Sequence, residues 1–260
     1  MLDGPTLLAE ALAAGVEVDE VVAEPVCPEA LLVEAAAAGA TVHRAAEGAL
    51  ARAVDTVTPH GVAAVARLRE TPAPDALAAA GPLALVLVGV SDPGNAGTLL
   101  RSAEASGAGG VVFCDSSVDP FGPKCVRSSA GSVLRLAVTR DASSADALAA
   151  CAAQHRRTVA TVVREGRSYD TIDLAGPVAL VLGNEAHGLP PQAAAAVDEA
   201  VTIPMAGRAE SLNVAMAGTI LCFEALRQRR AGVDDSRSGD REPGDRHVPN
   251  RDAPATGVDR

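Results

Sequence analysis

Apolar positions recur along this chain with two spacings. Leu7, Leu8, Ala11 and Leu12 fall on one face of a helix, and the β-branched run from Val16 to Val22 that follows reads as a strand. The alternation repeats with Pro28 to Ala38 as helix, Thr41 to His43 as strand, Glu47 to Val54 as helix and Val62 to Leu68 as strand. Residues 1–70 therefore predict a small α/β unit. Residues 71–82, rich in Pro and Ala, read as a linker.

From Leu83 the pattern changes. Leu83 to Val90 is continuously apolar, as expected of a strand covered on both faces in a parallel sheet. Further strands are expected at Gly110 to Cys114, Leu134 to Val138, Thr158 to Val163, Val178 to Leu182 and Val201 to Ile203. Helices are expected between them, at Ala96 to Ser106, Lys124 to Ala130, Ala145 to His155, Pro191 to Val197 and Leu212 to Arg229. Alternation at this spacing predicts a doubly wound α/β sheet over residues 83–230. Residues 231–260 mix charges with Pro and Gly, offer little to bury, and are expected to be a disordered tail.

Composition narrows the function. At 260 residues with 48% apolar side chains the chain can build a sizeable core, and no apolar run approaches a membrane span, so a cytoplasmic protein is expected. The five cysteines are scattered without a C-x-x-C pair or a His at ligand spacing, which predicts buried thiols and no metal site. A net charge of −11 argues against a nonspecific coat on nucleic acid, and an aromatic content of 2% removes base stacking as a general device. A local basic site remains open, leaning on Arg and backbone groups.

Three segments carry chemistry. In residues 91–107, Gly94 and Gly97 are expected to let the chain turn sharply beside a ligand, Asn95 to cap the next helix, and Arg101 to ride two turns into it. A plain glycine-rich turn with a solvated Arg would look the same; a G-x-G-x-x-G dinucleotide loop would not. In residues 178–190 an apolar strand ends in Gly183, Asn184 and Glu185, at the edge where open α/β sheets bind ligands. His187 reads as a loop residue. In residues 203–229 a short strand end leads through Gly207 to Ser211, expected as a helix cap, and to Asn213 in the first turn. Caps alone would explain Ser211 and Asn213, but three such strand ends converging on one sheet edge suggest a composite site.

The motifs Asn95-x-Gly97-x-x-x-Arg101, Gly183-Asn184-Glu185-x-x-Gly188-Leu189, and Ile203-Pro204 through Ser211-Leu212-Asn213-Val214 resemble, in order and separation, those of the SpoU/TrmH family of SPOUT RNA 2′-O-ribose methyltransferases. The leading segments GPTLLAEALAAG and TPHGVAAVARL resemble the small RNA-binding domain that precedes the catalytic domain in ribosomal RNA enzymes of this family. By that resemblance a further helix is expected ahead of Met1, and a Glu where Asp3 stands, so the leading domain is expected to be trimmed at its start.

The resemblance implies a parallel sheet closed by a C-terminal trefoil knot that holds S-adenosylmethionine, and a homodimer in which Arg101 serves the partner's site. It implies cofactor contacts from Leu182, Gly183, Asn184, Ile203, Met205, Ser211 and Leu212, and catalytic roles for Arg101, Asn95, Glu185, Ser211 and Asn213. Lys124, Arg127, Ser128 and Ser129, expected to open a helix, and Arg208 are implied RNA contacts. The family mechanism makes Arg101 the base. Deprotonating an arginine at pH 7 costs roughly 7 to 9 kcal/mol, so Arg101 is instead expected to stay charged, binding a phosphate and stabilising the developing alkoxide while Ser211 and Asn213 orient the ribose. Ribosomal RNA is the expected substrate. The competing readings are transfer RNA methylation, a non-catalytic RNA-binding or ribosome-assembly protein of the same fold, and a generic nucleotide-binding domain.

Overall fold

The computed structural model describes residues 1–52 and 60–239. The leading unit is a four-stranded sheet with two helices. Strand β1 (Leu2–Asp3) turns at Gly4, in the positive-φ region, into helix α1 (Pro5–Ala13). Strand β2 (Val18–Ala23), helix α2 (Glu29–Ala37), strand β3 (Thr41–Arg44) and strand β4 (Val62–Ala66) complete it in the order β1-β4-β2-β3. Only β2 and β3 pair in parallel. The strand β1 escaped the sequence pattern because two residues carry no period. The helix expected at Glu47 to Val54 is, over its described part, a single tight turn at Leu50–Arg52; Ala53 and Val54 lie outside the described residues.

The expected linker is instead helix α3 (Ala73–Ala79), with Ala76 and Leu77 wholly buried. Pro72 and Pro74 sit at its start, where no amide partner is needed, and Gly81 follows its end at positive φ. The prolines that suggested a linker are a helix start.

The second unit is a seven-stranded, wholly parallel sheet. Its elements are β5 (Leu83–Leu87), α4 (Pro93–Ala105), β6 (Gly110–Cys114), α5 (Pro123–Ser128), β7 (Ala137–Ala142), α6 (Ser144–Ala153), β8 (Arg157–Thr161), β9 (Arg167–Ser168), β10 (Val178–Leu182), α7 (Pro191–Ala196), β11 (Glu199–Thr202) and α8 (Val214–Gly239). The order is β7-β6-β5-β10-β8-β11-β9. Leu83 to Leu87 lie in register with Val178 to Leu182, and every residue of both strands is buried. Alternate side chains serve opposite layers. Leu83, Leu85 and Leu87 pack toward α4 and α8, in an apolar cluster that continues into the leading unit, while Ala84 and Val86 pack under α3 and α6.

Two further expectations need correction. The strand placed at Leu134 to Val138 lies later, because the chain reverses through Ala130 and Gly131, both at positive φ, into a tight turn at Ser132–Leu134. Its polar end, Thr139 to Asp141, runs along the outer edge of the sheet, where apolar patterning is not required. Helix α8 continues through the first residues of the supposed tail to Gly239, since extending a formed helix costs little once it is nucleated. The rest of that tail lies outside the described residues.

All five cysteines are buried and unpaired. Burial pushes the thiols of Cys114, Cys125 and Cys222 up to about 12 and that of Cys151 to about 11, so they behave as packing groups.

Candidate functional site

Strand order reverses around β5 and β10, and the loops leaving their carboxyl ends meet there. After β5, Asp92 caps α4, its Oδ1 accepting from the Asn95 amide at 2.8 Å, with Pro93 opening the helix. Asn95 is therefore not the cap that the sequence suggested. It lies in the first turn, where its side chain is free for other work.

That work is a chain of hydrogen bonds joining all three motifs. Glu185 accepts from the Asn95 Nδ2 at 2.9 Å, from the amides of Ser91 and Asp92 at 3.3 and 3.2 Å, and from the Ser91 hydroxyl at 3.2 Å. Asn95 in turn accepts from the Asn213 Nδ2 at 2.9 Å. The Asn213 Oδ1 accepts from the amides of Ala215 and Met216, which makes Asn213, and not Ser211, the cap of α8. Partial burial pushes the Glu185 carboxyl up, but the bonds from Asn95 and the backbone amides outweigh it and hold it below the usual carboxylate range.

Glycine and amide chemistry shapes the next loop. Asn184 donates to the Gly89 carbonyl at 2.8 Å, accepts from the amides of Ala186 and His187, and pairs through its backbone with Gly188, forming a tight turn. At Gly183 a Cβ would lie 2.4 Å from the Gly188 carbonyl carbon and 2.6 Å from the Leu189 nitrogen. Only glycine lets these two backbone segments pass.

Beside this network opens a cavity of about 320 Å³, within the range of small-molecule sites. Gly183, Asn184, Glu185, Ile203, Met205, Ser211 and Leu212 line it, as do Val201, Val214 and Leu221. The end of β8, Thr161 to Val163, also contributes, as does Glu210. Sequence patterns did not single these out, since an apolar strand end looks the same whether it faces core or cavity. The backbone amides of Ile203 and Leu212 hydrogen-bond to no described residue.

Residues 82–223 match the SpoU rRNA Methylase family. The chain belongs to that family. It is 32% identical to a 23S rRNA guanosine 2′-O-methyltransferase of Bacillus subtilis, over 86% of each chain. To an uncharacterized tRNA/rRNA methyltransferase of Synechocystis it is 37% identical over 70% of its own length, and spans 66% of that protein. The AdoMet-bound rRNA methyltransferase structure from Sinorhizobium meliloti superposes with a TM-score of 0.78 at 34% identity, covering 87% of this chain and 86% of that one.

Some SpoU motif residues lie away from the cavity. Leu182 is wholly buried, with its Cδ2 2.8 Å from where a Cβ on Gly218 would stand, so it packs α8 and does not line the cavity. Gly97 makes no ligand turn: it lies inside α4, and a Cβ there would meet Ser128 of α5. Arg101 is exposed on α4, away from the cavity lining. Of the expected RNA contacts, Lys124 and Arg208 are exposed and Arg127 is half-buried, Lys124 lying 3.9 Å from Asp92. Ser128 and Ser129 end α5 instead of opening it. Ser129 is buried, and the Ser128 hydroxyl is engaged by the carbonyls of Pro93 and Lys124, so neither is presented to RNA. Among the described residues no group of three His, Cys, Asp or Glu stands together to hold a metal, and no helix is long and apolar enough to cross a membrane.

Proposed function

We propose that this protein transfers a methyl group from S-adenosylmethionine to a ribose 2′-hydroxyl of ribosomal RNA. The observation that carries the reading is the Glu185–Asn95–Asn213 chain, which ties the three motifs together at the rim of a ligand-sized cavity.

The cavity fits the cofactor. Val163, Val201, Ile203 and Leu221 offer apolar walls to a heterocycle, and the amides of Ile203 and Leu212, unpaired among the described residues, offer donors to its polar edge. Gly183, Asn184, Met205 and Ser211 complete the pocket. When bound, the cofactor would supply an electrophilic methyl on a sulfonium for displacement by the ribose oxygen, whose proton would leave to water. Asn95 and Asn213 hold the loops so that the hydroxyl approaches in line. Ser211 orients the ribose. The Arg101 guanidinium clamps the adjacent phosphate and the developing oxyanion.

Arg101 stands outside its own chain's cavity, which supports its serving the site of a second copy in a homodimer. Met216 and Phe223, seven residues apart on α8 and 61% and 45% exposed, offer an apolar stripe for that contact. A trefoil knot at this end of the sheet belongs to the same reading. Residues 1–70 are assigned to holding RNA and 83–230 to methyl transfer, in the cytoplasm where ribosomal RNA matures.

The test combines S-adenosylhomocysteine calorimetry with tritium transfer from methyl-labelled cofactor. Binding with label in ribosomal RNA is expected; label only in transfer RNA, or binding without transfer, would move the assignment to the competing readings. Arg101→Lys should slow single-turnover transfer about 10- to 100-fold, because a point charge cannot reproduce the guanidinium fork; a near-normal rate would remove the clamp.

A further inference from the structure

The cavity's charges are unbalanced. Among its described lining residues are two carboxylates, Glu185 and Glu210, and no Lys or Arg. Glu185 is consumed, its two oxygens already accepting four hydrogen bonds from Ser91, Asp92 and Asn95. Glu210 hydrogen-bonds or ion-pairs with no described residue, and it lies in the loop between the cavity wall at Met205 and the α8 cap at Asn213. A carboxylate with open acceptors at the mouth of an apolar cavity attracts a cation and repels an anion.

From this placement we propose that Glu210 binds the ammonium group of the cofactor's amino-acid end, orienting that end toward the cavity mouth with its carboxylate turned away to solvent. The proposal rests on the cofactor reading above. Its chemistry is specific: the ligand must carry a primary ammonium beside a nucleoside thioether or sulfonium, and a ligand with the nucleoside alone gains nothing from Glu210. The nearby sulfonium of the unspent cofactor adds a second positive charge, so the same carboxylate favours it over the neutral thioether left after transfer.

The experiment is calorimetry with three probes, S-adenosylmethionine, S-adenosylhomocysteine and 5′-methylthioadenosine, on the full chain and on Glu210→Gln. Because Glu210 is exposed, the variant is expected to fold, which its melting curve checks. The two ammonium-bearing probes should weaken about 3- to 10-fold, the sulfonium at least as much as the thioether, while 5′-methylthioadenosine is unchanged. Raising salt should narrow the difference between wild type and variant. Equal affinity of S-adenosylhomocysteine for both proteins would overturn the proposal, as would an equal loss for 5′-methylthioadenosine, which would indicate altered shape. If the wild type binds none of the three, the cofactor reading itself fails, a result distinct from either.

Discussion

Glu185 illustrates how one side chain organises a site without contributing much to stability. Its carboxylate is exposed, so the bonds it accepts are screened and Glu185→Gln should change stability little, by less than about 1 kcal/mol. Glutamine must nevertheless present an amide to one of the donors, the Ser91 or Asp92 backbone or the Asn95 Nδ2, which frees Asn95 to rotate away from Asn213. Methyl transfer should fall about tenfold or more, read as a loss of rate with the fold intact. The pH sign follows from the lowered folded-state value. The network is fully present above the ordinary carboxylate value of about 4.3 and is lost as pH falls below it through the lowered one. Side-chain amide resonances of Asn95 should hold steady above that range and move below it, and the Gln variant should lack the transition. The sequence singled out Asn95, Glu185 and Asn213, and gave the caps of α4 and α8 to Asn95 and Ser211 where the structure has Asp92 and Asn213. Asp92, Asn95 and Asn213 are equally good caps on residue type alone, and only Pro93 at the first turn of α4 puts that helix's cap at Asp92.

Among elements, the contact of α4 with α5 is the least tolerant. A Cβ on Gly97 would stand 1.9 Å from the Ser128 Oγ and 2.7 Å from the Ser128 carbonyl carbon, and backbone cannot swing aside as a side chain can. In an open helix Gly→Ala stabilises by about 1 kcal/mol. Here Gly97→Ala should destabilise by roughly 1 to 3 kcal/mol through overpacking, so chemical denaturation reads the sign directly. Motif spacing marked Gly97 as special without saying whether ligand or helix claimed the space, since both demand a missing side chain. The buried strands β5, β6 and β10 were legible because apolar runs of this length fit little else. The outer strands β1, β7 and β9 were not, being short or polar where the sheet edge meets solvent.

At the scale of the molecule, Arg135 bridges the units, pairing with Glu10 of α1 on one side and, in a two-pronged contact, with Glu104 of α4 on the other. Arg135→Ala should lower overall stability only modestly, about 1 kcal/mol. It should raise hydrogen exchange in α1 while leaving β5 and β10 protected, since those strands lie under both helical layers. This docking was invisible in the sequence, because an ion pair across 125 residues leaves no local period.

The segment joining the units is α3, seated on the sheet where a loose tether was expected. A tether would let a bound RNA sample many nucleotides at the methyl donor. If residues 1–70 hold the RNA as proposed, a strut makes the protein a caliper that would choose a nucleotide by its distance from that grip, and lengthening α3 by one turn should move the methyl mark along the RNA instead of abolishing it.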